Sequence, residues 1–154
     1  YEHSRLVNRY WRKNKRRNAD GTIGVDLNRN WNFKWNQING GSSPGSETFQ
    51  GTGPNSEPEV GLTSNYVLSL KGHLAAGVDV HTYGEVVLRN YGWTMKPCRD
   101  EVRFKRIGDA MARAAQQVQQ EPYRSEQSAG LYPTSGSADD WFYEVAGMPG
   151  FTFE

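Results

Sequence analysis

Five apolar positions after Pro97, namely Phe104, Ile107, Met111, Ala114 and Val118, recur at spacings of three and four. That period predicts one long helix with a single apolar face, a stripe read as core rather than as a cofactor site. "LAAGVDVH" (74–81) is a short apolar run that predicts a strand ending on His81, and "EVVLRNYGW" (85–93) predicts a second beyond a turn at Gly84. "GTIGVDLNRNW" (21–31) predicts a third strand, Ile23 to Leu27, with Asn28 and Arg29 at its exit. In "SEPEVGLTSNYVLSLKG" (56–72), Ser56 with Glu59 forms a capping-box pattern, Pro58 suits the first helical turn, and Gly72 marks the stop. A short helix is expected from Ser137 to Gly147. "GFTFE" (150–154) then returns to extended structure, its two phenylalanines facing inward and Glu154 at the strand end. The segment from Asn36 to Asn55 is rich in Gly, Ser, Pro and Asn and reads as a long loop of the kind tied to function or disorder. Strands alternating with helices predict an α/β fold with its active groups at strand ends.

A chain of 154 residues is the size of one domain. Eighteen Lys and Arg against seventeen Asp and Glu leave a net charge of +1, which argues for neither a nucleic acid nor an anionic membrane as partner. The most basic run, "RYWRKNKRRN" (9–18), reads as a solvated loop. The single cysteine, Cys98, excludes a disulfide within the chain and a cysteine zinc cage. No apolar run approaches membrane-spanning length, no leader pattern is present, and the chain opens without Met, which together predict a processed product or a fragment.

Of the three histidines, only His81 has a suggestive address, at the end of an apolar strand where α/β proteins place ligands and bases. A hydrogen-bonded strand cap is the plainer alternative. Glu85 is too far along an extended chain to share an ion with His81 unless the turn at Gly84 folds it back. Arg12 and Arg29 follow residues that fix the local backbone, which suits guanidinium forks aimed at an anion, although ordinary surface arginine is the commoner role. Glu154, at the end of Phe-Thr-Phe, suits a general base, with a structural buried acid as the competing view.

In order along the chain, "RYWRKN", "GVDLNRNW", "GSETFQG" followed by "SEPEV", "DVHTYGEVVLRNYGW", "LYPTSGSADDWFY" and "GFTFE" resemble segments of the zinc metallocarboxypeptidases of the pancreatic A and B type. The resemblance implies a mixed, mainly parallel twisted sheet flanked by helices, zinc as cofactor, and secretion. It implies His81 as a zinc ligand, Arg12 as oxyanion stabiliser and Glu154 as general base. Asn28, Arg29 and Tyr132 match the clamp on a substrate's terminal carboxylate, with Tyr83 also at the substrate. Asp139 matches the floor of the pocket for the leaving side chain, where an acid goes with C-terminal Lys or Arg. Leu88, Gly92, Leu131, Thr134 and Thr152 match the walls of that pocket, and Gln127 stands where A-type enzymes are aliphatic. The partners implied are peptide or protein C-termini, together with a pro-segment or the remainder of a catalytic domain.

The chain departs from the family pattern in three ways. Only one of the three expected zinc ligands is present, since the family's His-x-x-Glu pair lies upstream of "WRK" and no such pair occurs in the sequence. A family catalytic domain is about twice this length, so residues 1–154 are expected to be a single partial domain lacking its upstream segment and its C-terminal end, with sheet edges uncovered. Thr22 and Gly45 stand where the family often has a disulfide, so that loop must be held in another way. Two rival readings follow: a metal-free module that keeps only the carboxylate clamp, and a structural or nucleic-acid role for residues 9–18.

Overall fold

The structure is a computed structural model that describes residues 2–38 and 41–154. It contains a four-stranded mixed sheet in the order β1-β4-β2-β3: β1 (Gly77–Val80), β2 (Val86–Arg89), β3 (Arg124–Gln127) and β4 (Gly150–Phe153). β1 runs parallel to β4 and β2 parallel to β3, while β2 and β4 are antiparallel. The helices are α1 (Glu2–Leu6), α2 (Pro58–Ser69), α3 (Glu101–Gln119), α4 (Ser128–Leu131) and α5 (Ala138–Trp141); α5 continues into a π turn over Phe142–Ala146 and stops at Gly147. The expected α/β architecture is therefore present.

Register assigns the two faces of the sheet. Val87 lies opposite Phe153 and Arg89 opposite Phe151, whereas Leu88 lies opposite Thr152, and Thr152 opposite Asp79. Because side chains alternate along a strand, Val87, Arg89, Phe151 and Phe153 share one face, and Asp79, Leu88 and Thr152 share the other. The first face receives α3: Phe104 and Ala112 pack with Val87 and Phe151, and Arg89 pairs with Glu101. Burying Phe104 and Phe151 contributes about 1.5–3 kcal/mol each. A second core cluster joins Trp31, Val60, Trp141 and Met148.

Several local expectations are corrected. α3 buries Phe104, Gly108 and Ala112, with Ile107 and Met111 beside them, but Ala114 is exposed and Val118 is 84% exposed. At about 100° per residue Val118 keeps the right phase; the helix has simply run past the sheet, leaving nothing to cover it. The same limit explains Val80 on β1, 75% exposed although it shares the α3 face, because α3 packs on β2 and β3. Residues 23–27 form no strand. The Asn14 and Arg16 backbone, the Asn14 side chain and the Phe49 carbonyl bond residues 24–26 irregularly, and Leu27–Arg29 turns as a short 3₁₀ segment.

Glu57 rather than Ser56 stands at the N-cap position of α2, without a side-chain cap bond, and Pro58 takes the first helical position. The Ser56 hydroxyl is diverted to Glu57 Oε1, while Glu57 also accepts from Asn14 and Arg16. α2 ends at Ser69, with Gly72 in a left-handed turn just beyond. The predicted strands 74–81 and 85–93 shorten to β1 and β2, and β4 lies between them. The long loop is confirmed in the residues described, though Asn39 and Gly40 lie outside them. The basic run is not wholly solvated: Lys13 is buried, and its ammonium donates to the carbonyls of Pro44 and Ser46. That ammonium fastens the loop on either side of Gly45.

Candidate active site

Asp79 and Thr152 share a face, and each is followed two residues later by a side chain that keeps the same parity: His81 after β1 and Glu154 after β4. Parallel neighbours bring those two ends together. His81 N–H donates to the Phe153 carbonyl (2.7 Å) and Glu154 N–H to that of Val86 (3.0 Å). His81 Nδ1 then lies 3.6 Å from Glu154 Oε1. Gly84 makes room for this, since a Cβ there would lie 3.1 Å from that of Glu154.

The 3₁₀ turn delivers the next groups. Asp26 caps it, Oδ1 accepting from the Asn28 N–H (3.2 Å) and Oδ2 from Arg12 Nη2 (2.7 Å). Asn28 Oδ1 accepts the Ala138 N–H (2.8 Å), and Nδ2 donates to Asp79 Oδ2 (2.9 Å). Arg29 is buried, with Nη1 on the Asn28 carbonyl and Nη2 at 3.4 Å from the Tyr132 hydroxyl; its Nε has no partner among the described residues. Gly136, at φ +72°, abuts the Arg29 carbonyl so closely that a Cβ would sit 2.4 Å from it, and its own carbonyl accepts the Trp31 N–H.

His81 Nε2 lies 2.8 Å from Asp79 Oδ2. A carboxylate only accepts, so Nε2 carries the proton and the Nδ1 lone pair faces the Glu154 side. The bond to Asp79 raises the His81 pKa, burial opposes it, and the charges of Asp79 and Glu154 add to the rise. Nδ1 is thus the ring nitrogen left open, and it could take a metal, with Asp79 placed behind the ring where such ligands have their outer partner. That arrangement fits one zinc ligand, although no cluster of three His, Cys, Asp or Glu suited to a metal occurs among the described residues.

A cleft of about 640 Å³ includes Arg12, Asp79, His81, Tyr83, Arg124 and Glu154 in its lining, with Tyr83 highly exposed. Beneath it a narrow pocket of about 20 Å³, room for one water, is lined by residues that include Arg29, Leu88, Leu131, Thr134, Asp139 and Thr152, and Tyr132 lies at both. Asp139 is fully buried; Oδ1 accepts the Asp140 N–H (2.9 Å) and Oδ2 has no partner among the described residues. Burial raises its pKa, and the nearby Ser137 hydroxyl and the Asp140 N–H pull the other way without cancelling it. Asp140 is raised to about 7 by burial and by Asp139. It accepts from Asn90 Nδ2, Gly92 N–H and Trp93 N–H, so of the two acids it is the better held as an anion.

The structure brings Arg12, Asn28, Arg29, His81, Tyr83, Leu88, Leu131, Tyr132, Thr134, Asp139, Thr152 and Glu154 to this cleft and pocket. Two residues that the motifs singled out lie outside both linings. Gln127 donates to the carbonyls of Tyr91, Thr94 and Lys96 and lines neither cavity. Gly92 also lines neither; it packs behind the floor, against Ser128 and Asp140. Glu85 is exposed and outside the cleft lining. Asp79 and Asp26 were missed, although a lone acid two residues before His81 in an apolar strand carried the signal of a shared face.

A family model described as zinc carboxypeptidase matches residues 1–154. Carboxypeptidase O of Bos taurus is 36% identical over 157 residues, covering all of this chain and 42% of that protein. Bovine thrombin-activatable fibrinolysis inhibitor, solved in complex with tick carboxypeptidase inhibitor, superposes with a TM-score of 0.94 at 28% identity, covering all of this chain and 53% of that one. Carboxypeptidase A from Helicoverpa armigera gives a TM-score of 0.90 at 30% identity, covering all of this chain and 39% of that one. The chain thus spans about half, or less, of the length of these relatives.

Proposed function

Because the chain belongs to the zinc carboxypeptidase family, we propose that it is one part of the catalytic domain of an exopeptidase that releases C-terminal Lys or Arg from peptides. Zinc, when bound, supplies a water of lowered pKa and polarises the scissile carbonyl. His81 would hold it through Nδ1, with the remaining ligands contributed by the rest of the full-length protein. The substrate's terminal carboxylate is gripped by Arg29, Tyr132 and Asn28, each charge-assisted bond contributing about 1.5–3 kcal/mol. Glu154 takes the proton of the attacking water and passes it to the leaving amine. Arg12, half-exposed in the cleft and steadied by Asp26, stabilises the negative charge that develops on the carbonyl oxygen.

The leaving side chain enters the narrow pocket toward Asp139. Its present volume holds only a water, so the outer wall of Leu131 and Tyr132, both partly exposed, opens to admit a long cation. A buried acid with an unpartnered oxygen disfavours Leu or Phe and is satisfied by Lys or Arg. Secretion and a pro-segment belong to the same reading. No helix among the described residues is long and apolar enough to cross a membrane.

The observation that carries the proposal is the approach of His81 Nδ1 to Glu154 Oε1 at 3.6 Å beside the buried Arg29. In the full-length protein that carries this chain, Glu154→Gln is expected to abolish turnover while peptide binding is kept. Turnover at the unsubstituted rate removes the general-base role.

A further inference from the structure

Asp79 lies behind the His81 ring, and the same carboxylate also reaches the Asn28 amide, which joins two of the roles above. Its Oδ2 accepts from His81 Nε2 at 2.8 Å and from Asn28 Nδ2 at 2.9 Å, and the two donors are 3.0 Å apart. Among the described residues its ion-pair partner is His81, with no Lys or Arg on the carboxylate. Asn28 is pinned at its other end, where Oδ1 accepts the Ala138 N–H, so its amide cannot flip without breaking both bonds. The imidazole has one free nitrogen, and the carboxamide one remaining N–H.

We propose that Asp79 is a positioning residue that locks the His81 ring and the Asn28 amide into one group, setting the metal-facing nitrogen and the substrate-facing amide together. The inference rests on the reading of His81 as a zinc ligand and of Asn28 as part of the carboxylate clamp. A carboxylate behind a ligating imidazole fixes its tautomer and raises its basicity as a ligand. Sharing one oxygen extends that control to the clamp, because a turn of the ring would have to displace Asn28. An apolar residue at this position would leave both donors unpaired.

The test uses the full-length protein and two readouts. In the metal-free form, proton and nitrogen NMR should show a downfield, slowly exchanging His81 Nε2 proton, assigned by its loss in His81→Gln. It should persist in Asp79→Asn, whose amide oxygen still accepts, and vanish in Asp79→Leu. Chelator competition should show zinc affinity falling by roughly 10- to 100-fold in Asp79→Leu and by much less in Asp79→Asn. A folded Asp79→Leu with the proton and the zinc affinity unchanged overturns the proposal. So does absence of the proton from the unsubstituted protein, which decides the matter if Asp79→Leu does not fold. If the proton is present but zinc does not bind, the zinc reading fails while the positioning role of Asp79 stands.

Discussion

Replacing Asp139 by Asn removes a charge while keeping shape, and two separate quantities should respond. The carboxylate is fully buried and one oxygen is unpartnered, so a lysine ammonium reaching it at about 4 Å in an effective dielectric of roughly 20 gains about 4 kcal/mol. Desolvation of the ammonium and the cost of ionising an acid whose pKa burial has raised offset part of that, and a remainder of about 3 kcal/mol is roughly 100-fold in kcat/KM for a C-terminal lysine. Peptides that differ only in a final Lys or Leu, assayed on the full-length protein, should therefore lose most of their discrimination in Asp139→Asn. The second quantity is stability. Burial raises the Asp139 pKa above its unfolded value, so its contribution is fully present below the unfolded pKa and is lost as pH rises through the folded one. Without ligand, Asp139→Asn should accordingly lose less stability than the unsubstituted protein as pH rises. A variant that keeps the Lys over Leu ratio within threefold refutes the pocket assignment, and an unchanged pH slope refutes the buried, unpaired acid.

Arg29→Lys keeps the charge but loses the planar fork, and should raise KM for free-acid peptides at least 10-fold, measured by steady-state kinetics; an unchanged KM would remove Arg29 from the clamp. Glu57 is buried, which alone would raise its pKa, but bonds from Asn14, Ser56 and Arg16 prevail and lower it. Its contribution is present above the unfolded pKa and is lost as pH falls through the folded one. Glu57→Ala should cost about 3 kcal/mol at pH 7 in denaturant titration and flatten the acid limb of the stability curve; an unaltered acid limb contradicts the network.

Much of the fold was legible because two periods carry it. The three- and four-residue spacing marked α3, and the alternation in "GFTFE" marked Phe151 and Phe153 as inward-facing, with Glu154 at the strand end. Strand order was not legible: nothing local in the sequence indicates that β4 inserts between β1 and β2, and that insertion is what brings Glu154 beside His81. β3 was missed because "RSEQ" has no apolar alternation, and its ladder comes from backbone pairing with β2. The strand expected at 23–27 failed for the reverse reason: Val25 is buried, but both of its backbone groups bond to Asn14 while Gly24 and Asp26 bond to Arg16 and Phe49, so no single partner strand forms. Most residues that the motifs singled out lie together at the cleft and pocket. Gln127 and Gly92 lie outside both linings for reasons a motif does not show: the Gln127 amide is taken up by the Tyr91, Thr94 and Lys96 carbonyls, and Gly92, bonded through its N–H to Asp140, has no side chain to present. Asp79 was passed over as part of an apolar run.

The central claim is that the cleft grips a free C-terminal carboxylate through Arg29, Tyr132 and Asn28 while the adjacent amide is cut. Its most direct test is to offer the zinc-loaded full-length protein one peptide ending in lysine, as the free acid and as the C-terminal amide, and to follow lysine or lysinamide release by mass spectrometry. The account predicts rapid, chelator-sensitive release from the acid and release from the amide slower by roughly 100-fold or more. Equal rates from the two peptides, or cleavage at internal bonds, would contradict it.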